Sequence, residues 1–144
     1  MRTTLLLGGL LAMLLSACQT GSGAATSPDH ELPATGTHWR LASGLSVKVP
    51  ADVRVTLSMG DALAISGSSG CNRYNGSFVV DGNETTVSPL AATKRACVGP
   101  GSDVESAFFT AMSSVKQVSV DGDKLVMQLA AGGELVFQAD SAAE

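Results

Sequence analysis

The 144-residue chain has few of the residue types that mark several large functional classes. Aromatic residues make up 4% of it and charged residues 15%, and the formal net charge is −4. Its nine Lys and Arg residues form no basic stripe. Nucleic-acid binding needs clustered positive charge and, for single strands, aromatic rings. The sequence therefore predicts no nucleic-acid partner.

Two histidines and three cysteines leave little material for a metal centre or a catalytic set. No CxxC or HxxxH spacing and no glycine-rich phosphate loop is present. His38 could act as a general base, but the sequence identifies no partner for it. The Gly-Ser-Ser-Gly stretch at residues 67–70 lacks the GxSxG spacing of a nucleophile elbow. We therefore expect no enzymatic activity, no metal and no cofactor.

The one long apolar run of the chain lies at residues 5–15, after Arg2. It is too short to span a bilayer as a helix but suits the apolar core of a secretory signal. The next residues, Leu-Ser-Ala-Cys at 15–18, resemble a bacterial lipobox. We predict a signal peptide over residues 1–17 and lipidation of Cys18 with acyl chains such as palmitate. The alternative is an ordinary signal peptide that leaves Cys18 as a free thiol.

Residues 18–36 consist mainly of small and polar residues and predict a flexible linker between the lipid and a folded domain. Gln19, after the lipidated cysteine, is compatible with sorting to the outer membrane of Gram-negative bacteria. We expect a protein of the cell envelope that is anchored to the membrane through lipid. In a Gram-negative host its predicted location is the periplasmic face of the outer membrane.

Residues 37–140 have the length of one domain and read mostly as short strands. Turn-rich triplets at residues 81–83 and 121–123 predict two hairpins. In the last hairpin region, Leu125 and Met127 should face Leu135 and Phe137 of the neighbouring strand. Alternating or apolar stretches predict strands at residues 47–49, 53–57, 62–66, 74–80, 84–88, 117–120, 124–129 and 134–138.

A different pattern begins at residue 102. Ser102 and Glu105 have the spacing of a capping box, and apolar residues follow at intervals of three and four. They predict one helix over about residues 102–115, with Phe108 and Met112 in the core. The fold class is thus mainly β, with one inserted helix. A small antiparallel β-barrel hides its strand edges most simply, and a sandwich is the alternative.

The remaining cysteines, Cys71 and Cys97, form an even pair in a chain that we expect to be exported. Such pairs usually form a disulfide in oxidising compartments. Two free thiols are the alternative.

The most specific segment of the domain is Gly-Cys-Asn-Arg-Tyr-Asn-Gly at residues 70–76. It resembles the GCNxYxG signature of the META-domain (HslJ-like) family. Trp-Arg-Leu at residues 39–41 is similar to the family's opening strand, and residues 93–97 are similar to its TxxAC segment. The chain departs from the family at Arg95, where methionine is common, and at Val98, where proline is common. The motif residues singled out as possible contacts are Asn72, Arg73, Tyr74 and Gly76.

The resemblance implies a small β-barrel-like fold with a helix, export as a lipoprotein, and no activity attached to the motif residues. It also implies a link to heat shock and stress tolerance. We therefore expect a non-catalytic envelope lipoprotein that binds an envelope protein or supports stress tolerance. The alternatives are a carrier of a lipid or small apolar ligand inside the barrel, similar to a pilotin, and a small hydrolase that uses His38.

Overall fold

The computed structural model describes residues 31–141. The predicted signal peptide, the predicted lipidation site Cys18 and most of the predicted linker lie outside this range. The described part contains one sheet of antiparallel strands, one α-helix and a short 3-10 turn at Asp61–Leu63. In chain order the elements are β1 (His38–Ser43), β2 (Thr56–Met59), β3 (Ala64–Ser68), β4 (Arg73–Asp81), β5 (Glu84–Val87), β6 (Ala91–Ala92), α1 (Pro100–Ser113), β7 (Val115–Asp121), β8 (Lys124–Leu129) and β9 (Glu134–Ala139).

Eight strands form a nearly closed barrel, which confirms the predicted fold class. They follow the order β5-β4-β3-β2-β1-β9-β8-β7, and the two-residue strand β6 pairs with β4 beside β5. The two ends of this path lie next to each other. Lys116 of β7 and Glu84 of β5 form an ion pair of 3.8 Å across the gap. Both side chains are about half exposed, so the pair adds little stability.

One cluster of buried side chains fills the barrel. On β8 and β9, Leu125 lies opposite Phe137 and Met127 lies opposite Leu135, as predicted, and all four side chains are fully buried. The larger members of the cluster come from several strands and the helix: Leu57, Ile65, Phe108, Met112, Leu125, Met127, Leu135 and Phe137. Alternation with period two on the strands therefore explains most of the core.

The helix lies two residues earlier than predicted. It begins at Pro100, a residue favoured in the first turn, and ends at Ser113. Its buried face consists of Val104, Phe108 and Met112, which confirms the two predicted core positions. Val115, which we predicted at the end of the helix, is instead the buried first residue of β7.

The predicted capping box is wrong. The N-cap residue is Gly99, and no side chain makes a capping hydrogen bond there. Glu105 therefore does not turn back to the start of its own helix. Its carboxylate instead contacts the segment that precedes β4, as described below.

Other strand predictions differ in detail. The hairpins β4–β5 and β7–β8 are confirmed, with Gly82 and Gly122 in the left-handed region at φ 58° and 59°. Residues 47–49, by contrast, form no strand and lie in the long connection from β1 to β2. Val47 and Val49 still pack against the core, which explains their apolar character without a strand.

The folded region includes residues that we assigned to the linker. Leu32 packs against the core, and the carbonyl of Glu31 accepts a hydrogen bond of 2.9 Å from the amide of Val120. The amide of Gly36 donates to the carbonyl of Met59 at 2.8 Å. The boundary predicted at residue 37 therefore falls inside a segment that contacts the barrel. Within residues 31–141, no helix has the length and apolar character needed to cross a membrane.

Candidate functional site

The signature segment forms a tight turn between β3 and β4. Gly70 lies in the left-handed region at φ 103°, and a Cβ atom there would lie 3.0 Å from Val104 of the helix and 3.1 Å from Val53. Glycine is therefore required both by the backbone angle and by the close approach of the helix. The turn brings Cys71, Asn72 and Arg73 to the surface end of β4, next to the loop that follows β6.

Asn72 joins three parts of the chain. Its side-chain Oδ1 accepts hydrogen bonds from Thr93 Oγ1 at 2.9 Å and from the amide of Arg95 at 2.8 Å. Its Nδ2 donates to Glu105 Oε1 at 2.9 Å, and its backbone amide donates to Glu105 Oε2 at 2.9 Å. Asn72 is 5% exposed. It is therefore an internal connector of the turn, the loop and the helix, and not a contact residue of the surface.

Glu105 is the acidic partner of this network. Besides the two donors of Asn72, it accepts a hydrogen bond from the hydroxyl of Ser69, which is fully buried. Burial acts to raise the pKa of Glu105, but the hydrogen bonds from Ser69 and Asn72 outweigh it and hold the pKa below its ordinary value. These hydrogen bonds keep the carboxylate of Glu105 ionised, and its role is structural.

This shift predicts how stability depends on pH. Because the pKa of Glu105 is lower in the folded protein than its ordinary value of 4.5, the ionised group stabilises the fold above that pH. The contribution is lost as pH falls through the lower, folded-state pKa. Urea unfolding between about pH 3 and pH 5 should therefore show a shallower loss of stability in Glu105→Gln than in the wild type. Asp103→Asn, which changes an exposed acid on the same helix, is the matched control, and equal slopes for wild type and Glu105→Gln would contradict the prediction.

A disulfide joins Cys71 to Cys97, as predicted from their number and the expected compartment. The two Cα atoms are 6.1 Å apart, and the bridge spans 26 positions of the chain. A guanidinium nitrogen of Arg95 also donates to the carbonyl of Cys71 at 2.9 Å. The bridge and this hydrogen bond together hold the loop after β6 against the signature turn.

Tyr74 lies in the core, with its side chain 3% exposed. Its hydroxyl donates to the carbonyl of Thr56 at 2.8 Å, and its ring packs on Phe108 at a centroid distance of 5.1 Å. Burial raises the pKa of the Tyr74 phenol. Gly76, on the same strand, leaves room for Leu90, whose side chain occupies the space that a Cβ would need. Both motif residues therefore serve packing and not surface contact.

Arg73 is the motif residue that remains exposed. Its backbone pairs with Thr93, whose Oγ1 accepts from the Arg73 amide at 3.1 Å. Within residues 31–141, its guanidinium has neither a hydrogen-bond nor an ion-pair partner. An exposed cation is therefore presented on a backbone that is held in place on both sides.

Arg73 lies in a surface groove of about 970 Å³ that runs over the outer face of β2, β3, β4 and β6. The strand registers place Ser58, Ser66 and Asn75 in one row across this face, and His38 of β1 continues the row. Nδ1 of His38 lies 2.8 Å from Oγ of Ser58. The side chains that line the groove are largely polar or cationic: Thr56, Ser58, Ser66, Ser68, Asn72, Arg73, Asn75, Thr93 and Arg95.

Sequence reasoning missed most of this groove. The alternation of Thr56 and Ser58 with the buried Leu57 and Met59 was a usable signal for a polar outer face on β2. Nothing in the sequence indicated that Glu105 would reach Asn72, 33 positions away. Among residues 31–141, no group of three or more His, Cys, Asp or Glu side chains is arranged to hold a metal ion.

The nearly closed barrel, its single helix and the disulfide-linked signature turn define a small β-barrel domain of a known class. The chain belongs to the META-domain family, whose model matches residues 31–142. Searches of curated proteins give no match.

Solved structures share the fold. An NMR structure of a protein from Burkholderia xenovorans is 25% identical and has a TM-score of 0.63, with 80% of this chain and 97% of that one covered. A second NMR structure is 23% identical with a TM-score of 0.59, and covers 76% of this chain and 94% of its own. A crystal structure of a DUF4847 family protein from Bacteroides vulgatus is 11% identical, with a TM-score of 0.52 and coverage of 76% and 96%. These likenesses concern the fold.

Proposed function

We propose that this protein is a non-catalytic, lipid-anchored binding domain of the cell envelope that contacts an envelope protein through the groove around Arg73. The observation that carries the proposal is the exposed guanidinium of Arg73, which has no partner within residues 31–141 and extends from a backbone fixed by hydrogen bonds. Arginine is enriched at the energetic centres of protein interfaces, and the backbone that carries Arg73 needs no further ordering when the side chain binds.

The chemistry of the site favours binding over catalysis. Tyr74 and Glu105, whose pKa values shift, use their polar atoms in hydrogen bonds within the fold. The groove itself presents hydroxyl, amide and guanidinium groups, which suit recognition. At the edge of the groove, His38 and Ser58 form a hydrogen bond across neighbouring strands, and this contact gives the histidine a structural role.

The packing of the barrel argues against a carrier of lipid in its interior. Large side chains from both halves of the sheet and from the helix, among them Phe108 and Phe137, are fully buried there. A lipid in the same place would have to displace well-packed side chains, each costing several kcal/mol. We therefore prefer a ligand on the outer face.

The proposed location rests on the N-terminal sequence. A lipidated Cys18 would tether the domain to a membrane, and the following linker would let the groove face reach neighbouring proteins. In a Gram-negative host the protein would act on the periplasmic side of the outer membrane, where binding other envelope proteins would support stress tolerance.

The proposal is tested by site-specific photo-cross-linking of the full-length lipoprotein in its own cells. A photoreactive residue at position 75, on the floor of the groove, should yield a reproducible protein adduct. The same residue at position 128, an exposed site on β8, is the control and should not yield it. Arg73→Ala should reduce the adduct about tenfold, as expected for an interface arginine. Equal adducts at the two positions, or none at position 75, would contradict the proposal.

Arg73→Ala should leave the fold intact, because its side chain has no partner within the described residues. Its free energy of unfolding should differ from the wild type by at most about 0.5 kcal/mol. Thermal or urea unfolding of the variant therefore separates a lost contact from a lost fold.

A further inference from the structure

We propose that the groove recognises an acidic segment of its protein partner, and that carboxylates of this segment pair with Arg73 and Arg95. The inference rests on the proposed function for the existence of a protein partner, and it adds the chemistry by which that partner is recognised. It is based on the charged and polar side chains of the groove that are available to a ligand.

The first observation is the sign of charge in the groove. The whole chain carries 13 acidic and nine basic residues, yet the side chains lining the groove include two arginines and no Asp or Glu. The acid bonded to the turn beside it, Glu105, has both oxygens occupied by Ser69 and Asn72. A ligand in the groove therefore meets positive charge on an otherwise acidic protein, which favours an anion there.

The second observation is how the two arginines are held. Arg95 donates one hydrogen bond to the carbonyl of Cys71, and its backbone amide is bound by Asn72. Arg73 is fixed through its backbone by Thr93 but has no side-chain partner within the described residues. Guanidinium groups bind carboxylates with paired, charge-assisted hydrogen bonds. Two cations therefore line the same groove: Arg95, which is restrained by a hydrogen bond, and Arg73, whose guanidinium has no partner within the described residues.

The third observation concerns the shape of the ligand. Ser66 and Asn75 lie in register on neighbouring strands and, like Arg73, make no side-chain hydrogen bond within the described residues. They continue the polar surface away from the arginines across the sheet. A segment of polypeptide, with carbonyl and amide groups besides its carboxylates, can use this surface, whereas a single small anion would leave it unused.

Fluorescence anisotropy with labelled poly-L-glutamate, using the full-length lipidated protein in non-ionic detergent micelles, tests the proposal directly. Binding to poly-L-glutamate should be saturable and weaken with salt, whereas poly-L-lysine should not bind the groove. Arg73→Glu should weaken binding of poly-L-glutamate by about tenfold or more, since it reverses the charge at the centre of the site. Arg54→Glu, at an exposed arginine outside the groove lining, makes the same change of net charge and should weaken it less than about twofold.

Equal losses in Arg73→Glu and Arg54→Glu, or no binding of poly-L-glutamate at all, would overturn the proposal, because the attraction would then be non-specific or absent. The cross-linking experiment separates this failure from a failure of the proposed function. If the adduct at position 75 persists in Arg73→Glu, the groove still binds a protein partner, but the proposal that it recognises an acidic segment is wrong. Loss of the adduct in Arg73→Glu but not in Arg54→Glu, together with binding of poly-L-glutamate, supports both.

Discussion

Asn72→Asp is expected to lower the free energy of unfolding by about 3–5 kcal/mol at pH 7, the range typical of an uncompensated buried charge. In the wild type, Nδ2 of Asn72 donates to Oε1 of Glu105 at 2.9 Å. Aspartate would put a second carboxylate at this distance in a site that is 5% exposed. The two oxygens cannot both remain ionised there without strong repulsion. Urea unfolding at pH 7 measures the loss.

The same variant has a characteristic pH dependence. A pair of close carboxylates takes up one proton more readily than an isolated acid, and the protonated group can then donate to the other. The deficit of Asn72→Asp relative to the wild type should therefore shrink as pH falls from 7 towards about 5. A deficit that stays constant over this range would mean that packing, and not charge repulsion, causes the loss.

A double variant gives the sharpest control. In Asn72→Asp with Glu105→Gln, the new amide can donate across the contact in the reverse direction, while the remaining Gln oxygen still accepts from Ser69. Stability at pH 7 should recover by about 1–3 kcal/mol over Asn72→Asp alone, the value of a restored hydrogen bond to a charged group. No recovery would show that the Asn72–Glu105 contact does not cause the loss of stability in Asn72→Asp.

The sequence predicted the parts of the fold that depend on local pattern. Alternation identified β8 and β9 and the pairing of Leu125 with Phe137, because each side chain is buried or exposed in turn along a strand. The Asp-Gly turns identified two hairpins, because glycine readily takes the left-handed angles observed at Gly82 and Gly122.

The candidate site was harder to predict because it depends on contacts between distant parts of the chain. Ser102 and Glu105 have the spacing of a local capping box. The carboxylate of Glu105 instead accepts hydrogen bonds from the buried Ser69 and from two nitrogens of Asn72. The three hydrogen bonds that Glu105 accepts there replace the single capping bond, because hydrogen bonds in a partly buried site are stronger. Likewise, the signature motif named the correct segment but could not distinguish the buried Asn72 and Tyr74 from the exposed Arg73.

Removal of the disulfide, by changing Cys71 and Cys97 together to alanine, is the second large effect that we expect. The bridge closes 26 positions of chain, and the chain-entropy model gives a loss of about 3.5 kcal/mol in the free energy of unfolding. For a small domain this is a large part of the total stability. Urea unfolding of the double variant against the oxidised wild type measures it.

The disulfide also supports the proposed site, because it holds the loop that carries Arg95 against the signature turn. The double alanine variant should therefore bind poly-L-glutamate more weakly even under conditions where it remains folded. Wild type treated with a reducing agent should behave like the variant in both stability and binding, while a reduced Arg54→Glu protein should lose no more than reduced wild type. If the reduced and oxidised proteins unfold at the same urea concentration, hydrogen bonds such as those of Asn72 and Arg95 hold the loop without the bridge. The bridge then contributes nothing measurable to stability.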